Sequence, residues 1–224
     1  MNFVTTADGS KTIFNAQIGE HYHSTHGAVQ ESRHVFLKSG LHFLLNSKAV
    51  SHTSPLAILE IGFGTGLNFL LTADYCLQQS IALHYTGVEA YPLSLHMIQN
   101  TGYEQEIDHN LWNSFLAHYP SAFDQKQTLH SAITLEIAHL DVVDFNTQQQ
   151  YDLMYFDAFA AVRQPEMWSE ATLRQVCQFL KTGGVFVTYA ITGNLKRTMK
   201  GLGFSIEKAP GAPGKREMLR AIKN

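Results

Sequence analysis

With 224 residues, 45% of them hydrophobic and 16% charged, the chain is sized for one large α/β domain and lies outside the composition of disordered segments. Its two cysteines, Cys76 and Cys177, write no disulfide framework and no Cys-rich metal centre; they read as buried thiols in a reducing cytoplasm. A formal charge of −3 excludes a global basic field, and no apolar run reaches membrane-spanning length, so a cytoplasmic protein without membrane contact is expected.

In chain order, the first stretch, 3–18, alternates apolar positions around "ADGS" and reads as a small hairpin. Residues 28–45 carry Val29, Val35, Phe36, Leu41, Leu44 and Leu45 at helical spacing, with a bend at Gly40. "LAILEI" (56–61) is a strand, followed by the glycine turn "GFGTG" and a helix over about 66–79. A second strand covers 82–89, and "PLSLHMIQN" opens a helix with Pro92 near its first turn. A helix over 111–120, a third strand over 132–139 and a fourth over 151–159 come next. The segment 171–184 reads as a helix stopped by glycines, 185–190 as a fifth strand and 193–201 as a short helix. Two strands, 204–209 and 216–223, close the chain across a loop too short for a crossover helix, so they are antiparallel.

Alternating strands and helices predict a doubly wound α/β sheet. The closing antiparallel pair is similar to the ending of the Rossmann-like fold of S-adenosylmethionine (SAM)-dependent methyltransferases. The expected fold is therefore a mostly parallel seven-stranded sheet with an antiparallel C-terminal strand. Residues 1–50 form a hairpin and helix extension packed on the core, and 51–224 the methyltransferase domain.

The turn itself supports that ligand. Gly62, Gly64 and Gly66 make G-x-G-x-G, neither the dinucleotide G-x-G-x-x-G nor a phosphate loop with Gly-Lys-Ser/Thr. Glu60 ends the first strand, where ligands bind in such sheets, and Glu89 ends the second, placed to accept from two ribose hydroxyls. Asp141, with Asp144 as its rival, follows the third strand and is a candidate acceptor for the adenine amino group. Asp157 ends the fourth strand and is the candidate for the methyl acceptor. A carboxylate there orients an ammonium, takes its proton and steadies the charge the nitrogen keeps. Lys215-Arg216, in the glycine- and proline-rich "APGAPGKREM", is the one tight basic pair in such a loop and a candidate for phosphate. His21, His23 and His26 lack a fourth ligand at metal spacing, so no metal is expected and a polar loop over the site is. "FVTTADGSKT" needs no more than a tight turn.

With these residues in place, the chain resembles the MnmC-type tRNA methyltransferases. The resemblance runs from "DGSKT" (8–12) to "GKREML" (214–219), through "YHSTHGAVQESRHVFL", "EIGFGTGLNFL" and "FDAFAAVRQPEMW". It implies transfer of a methyl group from SAM to the amine of 5-aminomethyl-2-thiouridine at the tRNA wobble position. By it the turn Glu60, Gly62, Phe63, Gly64, Thr65, Gly66, with Asn68, binds SAM. Glu89 holds the ribose, Asp157 faces the amine, Glu31 lies near the methionyl end, and Lys215 and Arg216 belong to the substrate side. Where the family commonly has "DGFAP" this chain has "DAFAA", 157–161, which reshapes the acceptor loop. No oxidase domain of the family is expected in this chain, so separate enzymes are expected to supply the aminomethyl form. With a near-neutral charge balance, tRNA would meet a local patch around Lys11, Arg33, Arg163, Lys196, Arg197 and Lys215. Two other readings stay open: methyl or aminopropyl transfer to a small amine, and a non-catalytic SAM- or RNA-binding module.

Overall fold

The computed structural model describes residues 2–47 and 54–224; the expected boundary between extension and domain, at 50–51, lies outside the described residues. A small antiparallel sheet opens the chain, formed by β1 (Asn2–Thr5), β2 (Lys11–Asn15) and β3 (Glu20–His21) in that order. The "ADGS" turn between β1 and β2 is built on Asp8. Its Oδ1 accepts from the Ser10 N–H at 3.0 Å, while Oδ2 accepts from the Gln30 N–H at 2.9 Å and ties the hairpin to the next helix. An Asx-type turn is thus sufficient for this segment.

The next helix runs continuously through Ala28–Ser32, a π-helical Arg33–His42 and Phe43–Asn46. The irregularity expected at Gly40 is spread over ten residues of widened helix. Gly40 serves close packing instead: a Cβ there would lie 2.9 Å from Val187 Cγ1, so glycine lets the rod settle onto the main sheet.

That sheet contains β4 (Leu56–Ile61), β5 (Leu83–Val88), β6 (Gln127–His130), β7 (Ile133–Ala138), β8 (Tyr151–Phe156), β9 (Leu180–Thr188), β10 (Phe204–Pro210) and β11 (Glu217–Lys223). Their order is β10-β11-β9-β8-β4-β5-β7-β6. The pairs β8/β9, β4/β8, β4/β5 and β5/β7 are parallel, whereas β11 runs antiparallel to both β9 and β10. The antiparallel C-terminal strand is as expected. Among the described residues the strand count is eight rather than seven, because β6 adds an antiparallel edge beside β7. β6 has one buried residue in four, Leu129, too little for a period-two signal.

Two local expectations are corrected. Pro92 lies before its helix, which spans Leu95–Gln99 and is capped by the Ser94 hydroxyl accepting from Met97 N–H. The helix in 171–184 ends at Cys177, and "KTGG" belongs to β9, where the pairing with β8 shifts between Tyr151 and Leu153. The glycines mark that irregularity rather than a helix stop.

β4 is buried along its whole length, and successive side chains feed two cores. Leu56 and Ile58 face the side of the π-helical rod and Leu67–Gln78, whereas Ala57, Leu59 and Ile61 face Glu170–Cys177 and Gly193–Gly201. Both cysteines are buried and free, as expected of thiols used for packing. Among the described residues, no helix is long and apolar enough to cross a membrane. The chain leaves β4 for β5 on one side and reaches β8 on the other. The switch point of the sheet therefore lies at the carboxyl ends of β4 and β8, where open α/β sheets hold ligands.

Candidate functional site

A cavity of about 350 Å³ occupies that switch point. Its walls are the ends of β4, β5, β7 and β8, with Asn15, Tyr22, His23 and Glu31 closing it from the N-terminal segment. The size suits a nucleoside-sized ligand.

The turn after β4 has left-handed backbone at Gly62, Gly64 and Gly66, with φ of 87°, 53° and 77°. At Gly62 a Cβ would stand 2.5 Å from the Asp157 carbonyl oxygen, so the two strand ends can sit side by side only with glycine there. Gly66 caps the helix Leu67–Gln78 with its backbone alone. Gly62, Phe63 and Gly64 line the cavity.

Glu89 follows β5 and is fixed from two directions: the Gly64 N–H donates to Oε2 at 2.8 Å and the Tyr91 N–H to Oε1 at 2.9 Å. Each oxygen keeps a lone pair for a ligand hydroxyl. Asp141 also lines the wall, and its Oδ1 accepts from Val143 N–H at 3.1 Å to cap the short helix Val142–Asp144. A neighbouring Asp144 is not on the wall.

Asp157 opens onto the same cavity from the end of β8. Its Oδ2 accepts from Asn68 Nδ2 at 2.8 Å, and the same amide nitrogen donates to Glu60 Oε1 at 2.8 Å. Asn68 Oδ1 in turn accepts from the Ser32 hydroxyl, which fixes the amide orientation. Burial, then the charge of Glu31, raises the Asp157 carboxyl to about 7, although the Asn68 bond and Lys215 pull it down. Its proton is thus exchangeable near neutrality, the condition for acid–base work.

The loop after Asp157 is pinned along its backbone. Tyr189 Oη donates to the Ala158 carbonyl at 2.9 Å, Trp168 Nε1 donates to the Phe159 carbonyl at 2.8 Å, and the Ala160 N–H donates to Glu20 Oε2 at 3.0 Å. The "PEMW" tryptophan therefore holds the acceptor loop, and three external bonds shape "DAFAA" without the glycine and proline common in the family.

Several expected ligands stand elsewhere. Glu60 is 0% exposed and lies behind the cavity wall, its second oxygen taken by Tyr85 Oη at 2.8 Å. Burial, then the charge of Asp157, raises its pKa well above the usual carboxylate range. It positions Asn68 and does not reach the cavity. Thr65, also fully buried, turns its hydroxyl to His23 Nε2 at 2.8 Å and Tyr103 Oη at 3.1 Å. Gly66 and Asn68 are likewise off the wall. The basic pair splits: Lys215 enters the cavity, whereas Arg216 is exposed on the loop outside it. In the expected patch, Lys11 Nζ donates to the Asn100 carbonyl at 3.2 Å and Arg33 pairs with Glu106 at 3.0 Å, so both are partly engaged.

The histidine loop divides its tasks. His21 packs on Phe14 with centroids 4.9 Å apart, His23 bonds Thr65, and His26 lies beside Ser24. Among the described residues, no group of three or more metal-ligating side chains is assembled. Burial lowers the His23 pKa to about 4, against the pull of Glu31. Its contribution to stability is therefore complete above the ordinary value of about 6.5 and is lost as pH falls through about 4. Replacing His23 by Ala is expected to cost about 2–3 kcal/mol at pH 7, read from urea unfolding, and to cost less at pH 4. An equal loss at both pH values would remove the neutral imidazole from this account.

Sequence reading expected the His21–His26 loop over the site, and His23 lines the cavity from it; it missed Tyr22, Tyr85 and Tyr189, whose roles depend on strands and loops far apart in the chain. It had no signal for the Glu31–Lys215 contact, which joins positions 184 apart.

The cavity fits SAM on three grounds: a glycine turn without room for Cβ, a fixed carboxylate with free lone pairs, and a volume for a nucleoside. The profile of a family described as S-adenosyl-L-methionine-dependent methyltransferase matches residues 105–224. The chain is 34% identical, over 90% of its length, to the tRNA 5-methylaminomethyl-2-thiouridine biosynthesis bifunctional protein MnmC of Magnetococcus marinus, of which it covers 31%. It spans about a third of the length of the curated relatives it matches. Among solved structures it resembles MNMC2 from Aquifex aeolicus, with a TM-score of 0.77 and 20% identity, covering 99% of this chain and 70% of that one. It also shares the fold of spermidine synthase from Thermotoga maritima, with a TM-score of 0.56 and 12% identity, covering 99% and 72%. A match over more than half of the chain, on a cavity built for this cofactor, places the protein in the family of S-adenosyl-L-methionine-dependent methyltransferases.

Proposed function

We propose that the chain transfers a methyl group from SAM to the primary amine of 5-aminomethyl-2-thiouridine at the wobble position of tRNA, giving the 5-methylaminomethyl nucleoside. The observation that carries this reading is Asp157: a carboxyl titrating at about 7 opens onto the same cavity as Glu89. The likeness to MnmC proteins supplies the substrate class.

When bound, SAM supplies an electrophilic methyl carbon on its sulfonium. Glu89 would accept from the ribose hydroxyls, and the Gly62–Gly64 backbone would carry the ribose and methionyl part. Asp141, with Leu140 and Val142, meets the adenine. Asp157, ionised, takes one proton from the acceptor ammonium and leaves a lone pair on nitrogen. SAM held there would supply the methyl group for that lone pair, and the negative charge of Glu31 beside Asp157 would steady the positive charge that nitrogen then keeps. Asn68 and Glu60 hold the Asp157 carboxylate in place, and alignment supplies much of the remaining rate. The N-terminal segment contributes Tyr22, His23 and Glu31 to this site. The reaction takes place in the cytoplasm, on tRNA carrying the aminomethyl form.

The test is to incubate the protein with methyl-labelled SAM and tRNA carrying 5-aminomethyl-2-thiouridine, in parallel with putrescine, and to analyse the products. Label in 5-methylaminomethyl-2-thiouridine is the expected result. Label in the diamine alone, or SAM binding with no methylated product, rejects the proposal.

A further inference from the structure

One end of the cavity already holds a primary ammonium, and it belongs to the chain. Lys215 reaches in from the loop between β10 and β11, and its Nζ donates to Glu31 Oε1 at 2.8 Å. The same Nζ lies 4.0 Å from the centroid of the Tyr189 ring. Both partners are held in place. Glu31 Oε2 accepts from the Ser24 N–H at 2.9 Å, and Tyr189 Oη is tied to the Ala158 carbonyl. A fixed carboxylate beside an aromatic face is a receptor for alkylammonium groups.

Lys215 is poorly suited to be a permanent occupant. Its side chain is 39% exposed, and an ion pair that open to solvent contributes only about 0–1 kcal/mol. The adjacent Arg216 stays outside, so the loop has a solvated position available to a basic side chain. Displacing Lys215 from the cavity is therefore cheap, while the Glu31 carboxylate, 11% exposed, keeps its need for a cation.

We propose that Glu31 and the Tyr189 ring form a primary-ammonium subsite, which Lys215 fills until the ammonium of a ligand displaces it. The inference rests on the reading of this cavity as the site of an amine methyltransferase. Two groups in that reaction carry the required chemistry: the acceptor amine and the α-amino group of the methionyl part of SAM.

The experiment uses the full chain with Lys215→Met, which keeps the aliphatic stem and empties the subsite; Lys215→Gln serves if the Met variant does not fold. Methylammonium chloride is titrated against sodium chloride at constant ionic strength, with Tm as the readout. A saturable rise in Tm is expected for the variant, with apparent affinity about tenfold tighter than for the native chain. Adding Glu31→Gln is expected to abolish it. Equal responses of variant and native chain, or a rise that survives Glu31→Gln, overturn the proposal. Calorimetry of SAM on K215M, with and without saturating methylammonium, then separates the sources. Unchanged SAM affinity assigns the subsite to the acceptor amine, and a competitive loss of about tenfold assigns it to the methionyl amine. Failure of methyl transfer to tRNA leaves the titration untouched, so the two proposals fail separately.

Discussion

Asp157→Asn is expected to lower turnover by about 10²–10⁴-fold, the range for loss of a positioned general base, while SAM still binds. Asparagine preserves the shape and can still pair with Asn68 after an amide rotation, so the fold has little reason to change. The pH dependence gives a sharper signature. In the proposed reaction Asp157 acts ionised, and its carboxyl sits at about 7 because burial and the charge of Glu31 oppose ionisation. Turnover should therefore rise with pH through about 7 in the native chain, and that limb should vanish in the variant. Stability runs the other way. A carboxyl raised above its ordinary value contributes most below about 4 and loses that contribution as pH rises through 7. Asp157→Asn should flatten this fall in Tm between pH 5 and 8. Unchanged turnover in the variant would remove Asp157 from the chemistry.

Glu89→Ala should act on the cofactor. Two charge-assisted bonds to ribose would be lost, and the Gly64 and Tyr91 N–H groups would lose their acceptor, loosening the turn. The expected result is a rise in the SAM Kd of about 10²-fold by calorimetry, with a smaller effect on turnover at saturating SAM. Glu89→Gln keeps one acceptor oxygen and should fall between. A variant that binds SAM as tightly as the native chain would show that the ribose lies elsewhere.

The contrast between these residues and the rest of the site follows from how each announces itself in sequence. Glu89 and Asp157 end apolar runs, and in a parallel sheet the end of a run is a place in space. Reading the strands was enough to bring them together. Glycines gave the turn between them for a similar reason, since only that residue tolerates the backbone the turn requires. Glu60 misled because position along a strand does not say which way a side chain points. Its carboxylate lies behind Asn68, bonded to Tyr85.

Contacts that depend on packing between distant segments left no local trace. Lys215 and Arg216 are equivalent in sequence, yet Lys215 lines the cavity, where its Nζ meets Glu31 and the Tyr189 ring, and Arg216 does not. The π-helical widening at Arg33–His42 is written in an ordinary helical pattern. "KTGG" reads as a helix stop until β8 is seen to pair across it with a shifted register.

A crystal structure with S-adenosylhomocysteine, the demethylated product, tests the central claim most directly. The account predicts the ribose hydroxyls on Glu89 and the sulfur turned toward Asp157, within reach of an amine held there. A sulfur facing away from Asp157, or a ribose bound away from Glu89, would contradict it.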